Sequence, residues 1–161
     1  MINDLDAQIL TILQKNARVS NAEIARQVGL APSAVFERIR KLEERGVIRG
    51  YSAHIDPHAV GLGLVAYTFV RSNDRPGGIQ TAELLAEIPE VLEVHHVAGE
   101  DCFLVKVRAA DTEALGRLLR ERLGRISTIS STRTTIVLES VKETSELPIA
   151  REAVAEEAAS A

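Results

Sequence analysis

Apolar residues in the first sixty positions recur with the period of a helix. Leu5, Ile9, Ile12 and Leu13 follow the i, i+4, i+7, i+8 spacing of one helical face. Ser20 with Glu23 predicts a capping box, opening a second helix that carries Ile24, Ala25 and Val28. Gly29 ends that helix, because glycine accepts the left-handed conformation of a C-terminal cap. Pro32 starts a third helix, where its missing N–H costs nothing, and this one stops at Gly46. Stepping about 100° per residue brings Val35, Ile39 and Leu42 onto one line facing the other two helices. Ser33, Glu37, Arg40, Lys41 and Glu44 lie opposite, with Ala34, Arg38 and Arg45 along one flank. "VIRGYSAHI" and the Asp56-Pro57 turn then read as a strand leading into a linker.

After residue 60 the period changes. "GLVAYTFVRS" predicts a strand and "GIQTAELLAEI" a helix; "VLEVHHVAG" and "CFLVKVRA" predict strands joined by a tight turn at Gly99-Glu100-Asp101. Asp111 caps a helix bearing Leu115, Leu118, Leu119 and Leu123, and "STRTTIVLESVK" is the last strand. The fold class is therefore α+β: an N-terminal winged helix-turn-helix domain followed by a β-α-β-β-α-β ferredoxin-like domain. The expected boundaries are 1–50 for the first domain, 51–60 for a linker strand, 61–148 for the second domain and 149–161 for a flexible tail. In the first strand of the second domain, Leu64, Ala66 and Val70 share one face while Val65, Tyr67 and Phe69 share the other. A strand apolar on both faces expects cover on both, and the two helices cover one. The open face predicts self-association into at least a dimer.

Composition adds two points. With 161 residues, 45% of them apolar, the chain is long enough to bury roughly 70% of its unfolded surface. The net charge is -4, which by itself gives no sign of nucleic acid, but the charge is uneven. Residues 1–60 hold 8 Lys/Arg against 7 Asp/Glu, and residues 61–161 hold 11 against 16. Residues 38–49 hold five basic side chains (Arg38, Arg40, Lys41, Arg45, Arg49) and two acidic ones, a local surplus of three. Two short helices joined through a glycine turn, the second polar and basic outside, make a helix-turn-helix. Early residues of such a second helix face base edges in duplex DNA, and later Lys and Arg meet phosphates. The expected DNA-binding set is Ser33, Ala34, Glu37, Arg38, Arg40, Lys41, Arg45 and Arg49. One copy of so small a basic patch binds weakly, and a dimer doubles it.

The run from Leu5 to Tyr51, "LDAQILTILQKNARVSNAEIARQVGLAPSAVFERIRKLEERGVIRGY", resembles the N-terminal module of the Lrp/AsnC (feast/famine) transcription regulators. "VHHVAGEDCFLVKVRA" resembles the turn of that family's C-terminal RAM domain, and the likeness spans about residues 2 to 148. The resemblance implies dimers that assemble further, often to octamers, and a free amino acid bound between dimers near the glycine turn. Carried onto this chain, the effector set is Gly99, Glu100, Asp101 and Cys102, with Thr132 or Thr134 added. Two departures stand out. Ala31 replaces the family's usual Ser ahead of the proline, which costs the third helix about 1 kcal/mol of capping. Cys102 replaces a usual Asp, so Asp101 is left to meet a ligand's ammonium.

Other chemistry finds little footing. His95 and His96 point to opposite faces of a strand, so at most one could join Cys102 around a metal, and no metal site is expected. A single cysteine excludes an internal disulfide, and no lysine or arginine lies beside it in sequence to favour a reactive thiolate. Gly61-Leu-Gly63 lacks the rest of a dinucleotide fingerprint, and no nucleophile motif occurs; neither a catalytic residue nor a cofactor is expected. The longest apolar run, "LGLVAYTFV", falls short of the ~20 residues that cross a bilayer, and the acidic start is no signal peptide. A cytoplasmic protein with no membrane partner is expected. The competing function is an amino-acid-binding regulatory or oligomerisation subunit with no direct role at DNA, since the same β-α-β-β-α-β module serves there too.

Overall fold

The computed structural model describes residues 2–75, 78–99 and 101–149. These divide into two compact units, one of residues 2–53 with 143–149 and one of residues 54–142. The expected second domain ran on to residue 148, whereas the chain from Glu143 groups with the first unit. Of the expected tail only Ile149 is among the described residues.

Three helices build the first unit: α1 (Asp4–Lys15), α2 (Asn21–Val28) and α3 (Pro32–Glu44). Ile9, Ile24 and Val35, one from each helix, are fully buried together, with Ala25 beside them and Ile12, Leu13, Val28 and Ile39 around the rim. Each fully buried aliphatic side chain contributes about 1.5–3 kcal/mol, which makes this small cluster the main reason the helices stay paired. Gly29 ends α2 with φ 71°, and Pro32 stands at the start of α3. Ala31 supplies no side-chain cap. The capping box is only half formed. Ser20 Oγ accepts from the Glu23 N–H at 3.2 Å, but the Glu23 carboxylate turns to Arg26 Nη2 (2.7 Å) and Gln27 Nε2 (2.8 Å). A guanidinium outbids a neutral amide for a carboxylate. Arg26, with Gln27 second, holds the Glu23 carboxyl down to about 2.

The strand expected from "VIRGYSAHI" does not form, nor does any linker strand across 51–60. The N–H groups of Val47 and Ile48 instead both reach back to the Leu42 carbonyl, at 2.9 and 3.1 Å. Tyr51 donates its hydroxyl to Glu43 at 2.9 Å, and desolvation, then that carboxylate, push its pKa up to about 12. A strand needs a neighbour to take its hydrogen bonds, and this stretch finds none within the described chain.

The second unit runs β1 (Leu64–Ser72), α4 (Gln80–Ala86), β2 (Val91–His96), β3 (Phe103–Ala109), α5 (Thr112–Glu121) and β4 (Ile129–Ile136). Its sheet has the order β2-β3-β1-β4, antiparallel throughout. This is the expected β-α-β-β-α-β arrangement. Asp111 caps α5 by accepting from the Ala114 N–H at 2.7 Å. Leu123, expected on α5, is in a following 3-10 turn (Leu123–Arg125), yet remains buried. The last strand stops at Ile136 rather than running to Lys142: Val137 N–H still bonds Val65 O, but β1 begins one residue before Val65 and offers no further edge. Ala66 and Val70 join Phe103, Val105 and Val107 in a core closed by Leu85, Ile88, Leu115 and Leu118 of the helical layer. On the other face Val65, Tyr67 and Phe69 stand opposite Arg108, Lys106 and Leu104, with no helix of this unit over them.

Candidate nucleic-acid interface and effector site

The outer side of α3 is built by what its inner side buries. Val35 and Leu42 are sealed in the core, so Ser33, Phe36, Glu37 and Arg40 face outward and are exposed. Lys41, Arg45 and Arg49 are exposed as well, while Ala34 is half-buried. The charges are already partly spoken for. Arg40 Nη2 donates to Glu37 at 2.9 Å, and Nη1 donates to Glu44 one turn on. Their carboxylates raise the Arg40 pKa above its ordinary value, Glu37 first. Arg38, expected among the DNA-reading residues, is turned inward: its Nη1 donates to Asp6 Oδ1 of α1 at 2.8 Å. Asp6 is 7% exposed, so this contact closes the helical unit rather than extending its outer surface. The positive strip is therefore thinner than the count of five suggests, and Lys41 and Arg49 carry more of it.

In the second unit the β2–β3 connection is closed by Val97 N–H bonding Cys102 O at 3.0 Å, and Cys102 N–H bonds Val70 O at 2.9 Å. Gly99 adopts φ 138°, a conformation an L side chain resists, with open space where a Cβ would stand. Glu100 lies outside the described residues. Asp101 is gripped from across the sheet by Arg133 Nη2 at 3.0 Å, and the Arg133 guanidinium sits 4.2 Å above the Phe69 ring. Sequence reasoning passed over Arg133, choosing its neighbours instead. Thr134 spends its hydroxyl on Thr68, at 3.0 Å on the helix-covered side of the sheet, and Thr132 is exposed opposite Val70. Alternation along β4 turns Arg133 to the other face. Only the pairing of β4 with β1, which sets an arginine beside an aromatic ring, brings it into view.

Cys102 is half-buried, with Sγ 3.4 Å from the Ser72 N–H, which donates to it. His95 bonds Glu93 on the open face while His96 packs on Phe103 at 5.2 Å between ring centroids, so the two histidines part as expected. Among the described residues no three His, Cys, Asp or Glu side chains gather around a possible metal, and no helix is long and apolar enough to cross a membrane.

Both units match known families. Residues 2–49 match a winged helix-turn-helix DNA-binding family, and residues 67–147 match the Lrp/AsnC ligand binding domain. The chain belongs to the Lrp/AsnC family. An HTH-type transcriptional regulator of Pyrococcus horikoshii is 38% identical, covering 92% of this chain and 97% of the relative. The leucine-responsive regulatory protein of Escherichia coli is 35% identical, with 92% of each chain covered. Among solved structures, a Neisseria meningitidis transcriptional regulator in complex with L-Met superposes with TM-score 0.86 at 30% identity, covering 92% of this chain and 97% of that one. A feast or famine regulatory protein from M. tuberculosis complexed with L-methionine gives TM-score 0.84 at 34% identity, covering 93% and 100%. This Lrp/AsnC protein is a DNA-binding transcriptional regulator, with the winged helix-turn-helix and ligand-binding domains in the family's order.

Proposed function

We propose that this regulator binds duplex DNA as a dimer or larger homo-oligomer through the outer side of α3, under control of a free α-amino acid held at the turn from Gly99 to Cys102. The observation that carries the DNA half is the exposed row of Ser33, Glu37, Arg40, Lys41 and Arg49 behind a sealed core. Lys41 and Arg49 are the phosphate contacts, with Arg45 between them. Lys41→Ala should weaken binding to every duplex alike, and should lower the slope of log affinity against log salt by about one per subunit contact. A gel shift on the gene's own upstream region at several salt concentrations measures both. An unchanged slope removes Lys41 from the interface.

The effector half rests on Asp101 and Arg133. An exposed ion pair such as this one is worth about 0–1 kcal/mol, so a ligand can open it cheaply. A zwitterion replaces it in kind, its ammonium on Asp101 and its carboxylate on the arginine fork, which suits planar carboxylates. The glycine turn lets backbone amides approach the same ligand. The L-methionine in two similar structures supports an amino acid as the class. Calorimetric titration with the twenty amino acids tests this. Arg133→Gln should weaken the amino acid that binds at least tenfold and leave DNA affinity without effector intact. Unaltered titration in that variant sends the carboxylate elsewhere.

A further inference from the structure

The first two turns of α3 carry an aromatic ring that the domain does not use. Phe36 is 54% exposed, while Val35 beside it is fully buried and Leu42 is 1% exposed. Phe36 lies one turn from both Ser33 and Arg40, so its ring borders the outward strip. It is absent from the core formed by Ile9, Ile24, Ala25, Val35 and their rim. A large ring held half in water gives up about 1–1.5 kcal/mol, half the worth of full burial.

The neighbours narrow what could cover it. Glu37, Arg40 and Glu44 satisfy one another, which leaves the centre of the strip without surplus positive charge. A bidentate arginine reading of guanine would have to dismantle that network first. Phe36 needs no such exchange. Its ring gains most from an apolar surface, and in the major groove the apolar group is the C5 methyl of thymine. We infer that Phe36 is a specificity-determining residue of the DNA site, packing its ring on a thymine methyl in each half-site. This rests on the reading of α3 as the base-facing helix and adds the base it selects.

The full-length protein selects duplexes from a random pool, and each thymine of the chosen site is then replaced singly by deoxyuridine. That exchange deletes the methyl and leaves pairing unchanged. At one thymine per half-site the wild-type affinity should fall about fourfold, the worth of one buried methyl. Phe36→Ala should bind the thymine site more weakly by a similar factor and no longer distinguish deoxyuridine there; Phe36→Leu should keep part of the distinction. Circular dichroism and light scattering on both variants accompany the binding data. Equal deoxyuridine penalties in wild type and Phe36→Ala overturn the inference. So does a variant that changes assembly mass with its thymine preference intact, since that makes Phe36 a contact between protein copies. A wild-type protein that binds no duplex sinks the base-facing reading itself, which is a separate result.

Discussion

Arg38→Ala should lower the stability of the helical unit by about 2–3 kcal/mol, because it strands the Asp6 carboxylate in the α1–α3 seam. For a unit this small that is a fall of roughly 10 °C or more in the melting transition, read by circular dichroism on the whole protein. The full cost of a deeply buried pair is not expected, since the Arg38 side chain retains 32% exposure. Removing both charges together, as Asp6→Leu with Arg38→Met, should restore much of the loss, since no unpaired charge remains. DNA affinity at low temperature, where both forms are folded, should then be close to wild type. A variant that melts normally but loses specific DNA affinity would show that Arg38 leaves Asp6 for the groove.

Tyr67→Asp should break the assembly. Tyr67 stands between Val65 and Phe69 on the sheet face that no helix of its unit covers, opposite Lys106. A carboxylate there, if the face is buried between copies, costs several kcal/mol unless Lys106 neutralises it, which weakens association on the order of a thousandfold. Lys106 already serves Glu93 at 3.1 Å, so it is poorly placed to do so. Light scattering at micromolar concentration should give wild type a mass at least twice the chain's 17.5 kDa and the variant a mass near it. A soluble, folded wild-type monomer would end the argument from the open sheet face.

Local chemistry made most of the fold readable. Ser20, Gly29, Pro32 and Asp111 mark helix ends because each acts on backbone groups within a few residues of itself. The two-sided apolar pattern of β1 likewise showed in its alternation. What failed was long-range. Arg38 lies about 60° from Val35 around α3, at the margin of the buried face, and so does Asp6 from Ile9 on α1. Either could have pointed in or out; which one happens depends on how two helices distant in sequence cross. The strand expected after α3 failed for the same reason, since its apolar residues say nothing of whether a partner edge exists. Arg133 was passed over because its contacts depend on β1–β4 register, which sets it over Phe69.

The return of residues 143–149 to the helical unit rests on a reciprocal amide contact. Gln14 Nε2 donates to Leu147 O at 3.1 Å, and Leu147 N–H donates to Gln14 Oε1 at 2.7 Å. In topological terms residues 54–142 are an insertion, spliced between two segments of the helical unit and leashed at both ends. Both of those hydrogen bonds are exposed, and a pair of that kind holds by only about 1–2 kcal/mol. The second leash is thus a clasp that thermal motion undoes roughly 3–15% of the time, and a protease cutting near residue 143 would find the chain there before it found any helix.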